Sequence, residues 1–275
     1  MYIIKKKYKF LAKKKFGQHF LFNKKIIKKI IKFINLNYFD LVLEIGPGLG
    51  SLTLNIINKI NNIYAVEIDK DMINFLIKHS IIGSKIKIFR QNAIYLNLKN
   101  FFLKNNQNLF RILGSLPYNV SVKIILNLIL NFNNNIKDMY FIIQKELAER
   151  ITASINTKIY GRLSIIVQYY CKIYKLIKIL PKYFIPIPKV DSFFIKLIPY
   201  KILPYNTINI NIIKYITNKS FNNRRKILKN NLKLIFNNKE LLSLKINPNL
   251  RAENISIKKY CKLSNLLFYK NKYKI

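Results

Sequence analysis

The stretch Leu41-Val42-Leu43-Glu44-Ile45-Gly46-Pro47-Gly48-Leu49-Gly50 constrains this chain more than any other. A short apolar run ends in glycines at alternate positions and leads into Leu52 to Ile60, which has helical spacing. That reads as strand, tight turn and helix. Glycine allows a sharp turn and a close backbone approach to a ligand, and a helix start offers unpaired N–H groups to it. A second apolar run, Ile63 to Ile68, ends in Glu67 and Asp69. The unit is strand-helix-strand with an acidic second strand end, and it predicts a parallel sheet with its sites at the carboxyl ends of the strands.

The alternation extends on both sides. Asn23 to Ile34 carries an apolar face of Ile26, Ile27, Ile30, Ile31 and Ile34 between lysines, the spacing of a helix. A helix is expected near Asp71 to His79, strands near Ile86 to Phe89 and Phe110 to Leu113, a strand over Tyr140 to Ile143 and a helix over Lys145 to Ser154. Leu163 to Tyr170 and Ile173 to Leu180 read as an adjacent pair of strands, and Phe193 to Ile198 as the strand that closes the sheet. Beyond Pro199 to Pro204 the pattern turns helical, with candidates near Ile208 to Thr217, Asn222 to Phe236, Lys239 to Leu244 and Ile257 to Tyr269. The expectation is therefore α/β: a main domain over residues 1–200, with a basic N-terminal extension, and a small all-α domain over 201–275.

Charge narrows the partners. Fifty Lys and Arg against eleven Asp and Glu give a net charge of +39, which predicts salt-sensitive attraction to a polyanion: RNA, DNA or an anionic membrane surface. Lysine supplies most of it and accompanies heavy Asn, Ile, Phe and Tyr usage, a set with A- and T-rich codons, so compositional drift contributes. Cys171 and Cys261 show neither metal-site spacing nor a disulfide framework, which fits reduced thiols in a cytosol and predicts no metal. The early lysines leave no signal-peptide core, and no apolar stretch approaches the ~20 residues needed to span a bilayer. A soluble, cytoplasmic protein with no membrane association is expected.

The glycine turn has the chemistry of a methyl-donor site. A dinucleotide fingerprint would place its third glycine one position later, where Ser51 stands, so the spacing favours S-adenosylmethionine over a nicotinamide cofactor. Gly46 and Gly48 would line the donor, and the Glu67 carboxylate is placed to accept from both ribose hydroxyls. Asn92, after the third strand, can accept from an adenine amine; the rival reading is a turn asparagine. Ile68 can cover one adenine face or belong to the core.

Gly114-Ser115-Leu116-Pro117-Tyr118-Asn119 supplies an acceptor clamp. An exocyclic base amine is a weak nucleophile because its lone pair is delocalised into the ring. If the Ser115 hydroxyl and the Leu116 carbonyl each accept one amine hydrogen, the lone pair turns out of the ring plane. Pro117 stiffens the turn, and Tyr118 can stack on the base; the gain is orientation and electrostatics without a strong base. Phe184 is a candidate for the base's other face, with a core aromatic as the alternative. Arg224, Arg225 and Lys226, with Lys229, form a basic cluster suited to phosphates, and Lys13, Lys14 and Lys15 a second one; a solvated charged face is the alternative for each lysine.

The blocks Phe16-Gly17-Gln18-His19-Phe20-Leu21, Leu43 to Gly50, Leu116-Pro117-Tyr118-Asn119, Gln144-Lys145-Glu146, Ala148-Glu149-Arg150, Tyr160-Gly161-Arg162-Leu163-Ser164, Pro188-Lys189-Val190-Asp191-Ser192 and Arg224-Arg225-Lys226 run in order over nearly the whole chain. In them the chain resembles the bacterial ribosomal RNA adenine dimethyltransferases. The resemblance implies a Rossmann-like S-adenosylmethionine-dependent methyltransferase domain followed by a small helical domain. It implies dimethylation of two adjacent adenines in the 3'-terminal hairpin of 16S rRNA within the immature 30S subunit, by a monomer. It also implies that His19 and Leu21 flank the donor, and that Gly46, Glu67, Asn92 and Ser115 match donor-contacting positions. That family ordinarily has Asp where Asn92 stands and Asn where Ser115 stands, so weaker donor binding and slower or incomplete methylation are expected. An assembly factor that has lost useful chemistry is the alternative reading, and a large-subunit rRNA methyltransferase is a third, disfavoured by the Tyr160 to Ser164 and Pro188 to Ser192 blocks.

Overall fold

The computed structural model describes residues 12–61, 63–98 and 109–272. They divide into two compact units, one taking in the described residues up to Ala148 together with Lys172–Pro199, the other Glu149–Cys171 together with the described residues from Tyr200 onward. The Glu149–Cys171 segment groups with the C-terminal helices, whereas the sequence pattern had placed it in the first domain.

The first unit is built on a mixed sheet. Five strands run parallel: β2 (Leu41–Ile45), β3 (Ile63–Glu67), β4 (Ile86–Arg90), β5 (Phe110–Ser115) and β6 (Ile136–Gln144). With β7 (Cys171–Ile179) and β9 (Ser192–Pro199) the order is β4-β3-β2-β5-β6-β9-β7. A separate antiparallel pair joins β1 (Phe20–Leu21) to β8 (Phe184–Ile185) through Phe20↔Ile185 and Leu21↔Phe184. The central strands are buried along nearly their whole length, as expected of parallel strands covered on both faces. Helix α1 (Lys24–Ile34) turns Ile27, Ile30, Ile31 and Ile34 inward; the Asn23 side chain caps its start, and Asn35 ends it with a left-handed φ of 48°. Beyond the glycine turn, α2 (Thr53–Ile56) is a single turn, shorter than the apolar spacing suggested, and α3 (Lys70–Lys78) follows β3.

Two strand expectations fail for physical reasons. Arg162–Tyr170 is a helix, not a strand. Its Ser164, Ile165, Ile166, Val167, Tyr169 and Tyr170 are all buried, so burial on every side erases the periodicity that would distinguish the two. The helix Ser121–Asn131 was not anticipated either: it buries one face, Ser121, Ile124, Ile125, Leu128 and Ile129, but Val122, Leu126 and Leu130 on its other face are apolar too and blur the period. The strand expected to close the sheet lies inside it: β9 pairs antiparallel with β6 from Met139↔Leu197 to Gln144↔Ser192, and β7 is the edge. Lysines along β7, such as Lys172, Lys175 and Lys178, suit an edge that must not recruit another strand.

In chain order the remaining helices are α4 (Ser121–Asn131), α5 (Lys145–Ile151), α6 (Arg162–Tyr170), α7 (Ile210–Asn222), α8 (Leu228–Leu232), α9 (Asn238–Ser243) and α10 (Ile257–Lys272). Within the second unit α7 packs on α6, α8 and α10 around buried Ile213, Ile216, Leu228, Leu232 and Tyr260. The long helix expected over Asn222 to Phe236 is broken, with residues 223–227 forming the turn between α7 and α8. Among the described residues no helix is long and apolar enough to cross a membrane, and no group of three or more His, Cys, Asp and Glu is placed to hold a metal ion.

Candidate active site

A cavity of about 330 Å³ opens at the carboxyl ends of β2, β3 and β5, where a parallel sheet is expected to place its site. The turn after β2 forms its floor. Gly46, Gly48 and Gly50 have φ of 65°, 56° and 76°, a region that glycine enters at little cost. At Gly48 a β-carbon would lie 3.0 Å from the Phe20 ring, so a side chain there would have to push that ring aside as well as adopt a left-handed φ.

Two buried carboxylates face the cavity. Glu67, at the end of β3, accepts from the Gly48 N–H (3.3 Å) through Oε2 and from the Ile68 (2.8 Å) and Asp69 (2.9 Å) N–H groups through Oε1. Burial raises its pKa, against the three backbone bonds. Glu44, within β2, accepts from Thr53 Oγ1 at 2.7 Å. Its pKa is pushed up to about 7, chiefly by burial, opposed by the Thr53 bond and reinforced by the neighbouring Glu67 charge. The sequence reading passed over Glu44, although it is the one charged residue of β2. Asn92, between β4 and a short turn of helix, lines the same wall, and its Oδ1 already accepts from the Ile94 N–H at 3.0 Å. It is therefore a turn-capping asparagine and a cavity residue at once. Ile68, 39% exposed, also lines the cavity and is not part of the core.

The segment before β1 forms another wall. Lys13 Nζ lies 2.6 Å from both Asp69 Oδ1 and Asp71 Oδ2, and Gln18 Nε2 donates to Asp69 Oδ2 at 3.0 Å. Burial works against the ionised Asp69, but these bonds outweigh it and keep its pKa low. Lys13 is thus tied to the end of β3 instead of standing free as part of a second basic cluster. Lys15 is exposed beside the cavity, its ammonium over the Phe16 ring. His19 Nδ1 lies 2.7 Å from the Pro186 carbonyl; a carbonyl only accepts, so Nδ1 carries the proton. The His19 ring stacks on Tyr118 with centroids 5.4 Å apart. Leu21, 3% exposed, also reaches the cavity wall.

Opposite the glycine turn, β5 delivers Ser115. The register Ile45↔Gly114 sets Gly46 beside Ser115, and a β-carbon on Gly46 would meet only the Ser115 carbonyl, at 3.9 Å. Leu116 is anchored by its N–H to the Ile142 carbonyl (3.0 Å), and the Pro117 carbonyl accepts from the Val120 and Ser121 N–H groups. Tyr118 Oη sits 2.7 Å from Ser192 Oγ, and burial, offset in part by that bond, raises the phenol's pKa. Ser115, Leu116, Pro117 and Tyr118 all line the cavity. Phe184 does not: paired through β8 with Leu21, its ring is 1% exposed inside the core. Burial between β1 and the sheet makes it a core aromatic in this structure.

In the second unit, Arg224 Nη2 donates to the Lys158 (2.6 Å) and Tyr160 (2.8 Å) carbonyls and approaches Glu253 at 3.4 Å, with the guanidinium over the Phe221 ring. Much of Arg224 is spent holding its own unit together. Arg225 and Lys226 are exposed in the same turn.

A parallel sheet with a glycine turn at its carboxyl edge, an acidic strand end beside it and a Ser-Leu-Pro-Tyr turn across the cavity defines an S-adenosylmethionine-dependent methyltransferase of a planar amine. The chain belongs to the ribosomal RNA adenine dimethylase family, whose model matches residues 9–268. It is 49% identical over 257 residues to a "Ribosomal RNA small subunit methyltransferase A" of Wigglesworthia glossinidia brevipalpis, covering 94% of this chain and 98% of that protein. It is 47% identical over 263 residues to the protein of that name from Buchnera aphidicola subsp. Schizaphis graminum, covering 96% and 95% respectively. A solved dimethyladenosine transferase from Plasmodium falciparum superposes with a TM-score of 0.76 at 25% identity, over 92% of this chain and 98% of that one.

The residues fit the donor. The space beside Gly46 is a cradle that a side chain would fill, the cavity has the size of a small-molecule site, and Glu67 retains acceptor capacity beyond its three backbone bonds.

Proposed function

We propose that this protein dimethylates the N6 amines of two adjacent adenines in the 3'-terminal hairpin of 16S rRNA, acting as a cytoplasmic monomer on the immature 30S subunit. The observation that carries the reading is the Ile45↔Gly114 register, which sets the glycine turn against the Ser115 turn inside one cavity. Donor and acceptor sites are then neighbours by construction of the sheet.

Gly46 and Gly48 would hold the donor through their bare backbone, Glu67 through its carboxylate, and Asn92 and Ile68 at the adenine end, with His19 and Leu21 flanking. When bound, S-adenosylmethionine supplies an electrophilic methyl group. On the acceptor side, Ser115 Oγ and the Leu116 carbonyl each accept an amine hydrogen and orient the lone pair, and Tyr118 stacks on the base, a contact worth about 1–3 kcal/mol. Pro117 restrains the turn. No residue need act as a strong base, since a neutral amine that gains a methyl becomes a cation, and that cation is acidic enough to lose its proton to water. Arg225 and Lys226, in the helical unit, would contact phosphates, within the long-range attraction of a +39 chain.

The test is incubation with labelled S-adenosylmethionine and unmethylated small subunits, followed by digestion and mass spectrometry of the rRNA. Dimethyladenosine at the adjacent pair is the expected result. Subunit binding with no methyl transfer would refute the enzyme reading and leave the assembly factor. Ser115→Ala should abolish most transfer while leaving subunit binding nearly unchanged.

A further inference from the structure

The segment Pro186 to Ser192 lies outside the donor and acceptor contacts described above, yet two of its atoms converge on Tyr118. Ser192 Oγ meets the phenol at 2.7 Å, and the Pro186 carbonyl accepts from His19, whose ring stacks on Tyr118 at an interplanar angle of 24°. We propose that Ser192 is a positioning residue: its hydrogen bond to the phenol, with His19 against the ring face, holds Tyr118 in the orientation in which it stacks on the target adenine. This rests on the functional reading above.

Three features support it. Ser192 is fully buried at the start of β9, so its hydroxyl needs a partner, and the structure gives it Tyr118. It is anchored to rigid structure on both sides: Gln144↔Ser192 is a sheet register, the Asp191 carbonyl accepts from the Lys145 N–H at 2.9 Å, and Asp191 pairs with Lys178 at 2.8 Å. Tyr118, in contrast, sits in a turn between β5 and α4, where the backbone fixes its position but not its ring torsions. A bond at the ring's tip and a ring against its face remove that freedom before substrate arrives, which is how a supporting contact raises a rate without touching the reacting atoms.

The experiment is a double-mutant cycle in single-turnover methyl transfer on unmethylated small subunits, using Ser192→Ala, Tyr118→Phe and the pair. Ser192→Ala should lower the rate about tenfold, the scale of one lost hydrogen bond. Subunit affinity and KM for S-adenosylmethionine should stay within about twofold, because neither binding step uses the bond. Tyr118→Phe keeps the ring and loses the hydroxyl, so it should match Ser192→Ala, and the double variant should be no slower than either. An undiminished rate in Ser192→Ala, or losses that multiply in the double variant, would overturn the proposal. If Ser192→Ala folds poorly, Tyr118→Phe decides alone: a wild-type rate there overturns the proposal, and the loss sustains it. A wild-type protein that transfers no methyl would instead overturn the functional reading itself.

Discussion

Replacing Glu44 by Gln should make the protein more stable near neutral pH and remove part of its pH dependence. Glu44 is 2% exposed, its one hydrogen bond is from Thr53 Oγ1, and its pKa is raised to about 7 from 4.5. A native acid with a raised pKa holds its proton where the unfolded chain has released it. Stability is then greatest below the unfolded value and declines as pH rises through the native one. With one pKa unit equivalent to 1.36 kcal/mol, Glu44 costs the native state about 3 kcal/mol in full. Between about pH 5.5 and about pH 8 the loss is about 2 kcal/mol, because the group is mostly protonated at the first and mostly ionised at the second. Glutamine keeps an oxygen for the Thr53 hydroxyl and does not titrate. Urea unfolding of both proteins at the two pH values isolates the effect, since Glu67 and all other groups titrate in both. The stability difference, variant minus wild type, should grow by about 2 kcal/mol from the lower pH to the higher. A difference unchanged within the error of the extrapolation would refute the burial argument and mean that water reaches Glu44 through the cavity.

Arg111→Ala should cost about 3 kcal/mol in urea unfolding, because the guanidinium bridges Asp138 at 2.8 Å and Asp40 at 2.7 Å and caps the Ile34 carbonyl, and its loss leaves buried Asp138 with Lys196 at 4.0 Å, while Asp40 keeps Lys137 at 2.9 Å; a loss below about 1 kcal/mol would show that Asp138 protonates or hydrates freely. Glu67→Gln turns an amide toward the Gly48 N–H or the Ile68 and Asp69 N–H groups, so calorimetric affinity for S-adenosylmethionine should fall about tenfold or more, the scale of one charge-assisted bond. In the basic turn, Arg225→Ala with Lys226→Ala should weaken subunit binding and reduce its salt slope by about 2 with thermal stability unchanged, whereas Arg224→Ala should lower the melting temperature.

That Gly46, Gly48 and Glu67 share one cavity was legible because its physics is local. Positive φ selects glycine and a strand end carries a carboxylate, and each signal is complete within its own short segment, Gly46 to Gly50 in one case and the end of the Ile63–Glu67 strand in the other. The Ser115 to Tyr118 turn across the cavity was legible for the same reason: its residues are consecutive. Contacts that depend on distant pairing were not. Ser192 meets Tyr118 only because β9 enters the sheet beside β6, an insertion that no periodicity in Phe193 to Ile198 reveals. Arg224 and Lys13 read as free cations because their partners, Lys158 and Tyr160 in one case and Asp69 in the other, lie far away in sequence. Arg162–Tyr170, buried on nearly every side, carries no amphipathic signature to recognise, whereas Ser121–Asn131 buries one face, Ser121, Ile124, Ile125, Leu128 and Ile129, and went unread because Val122, Leu126 and Leu130 make its other face apolar in sequence too.

Asn92 and Ser115, where the resemblance leads one to expect Asp and Asn, have different structural standing, and under the proposed function this bears on which of them would limit the reaction. Asn92 Oδ1 caps the Ala93–Tyr95 turn, a bond that a carboxylate would also make, so the exchange leaves the wall's geometry in place and removes a charge. Under the proposed function its consequence would fall on donor affinity. Ser115 sits on the strand that sets the distance between the two halves of the cavity, with its backbone fixed by the Ser115↔Ile142 register and by the Leu116 N–H bond to Ile142. If Ser115 accepts from the amine as proposed, a shorter side chain on a fixed backbone cannot move toward it, and the base would have to seat deeper or be held less firmly. The consequence would then fall on the transfer rate, and most on the second methyl, when the amine retains a single hydrogen to be shared between Ser115 Oγ and the Leu116 carbonyl.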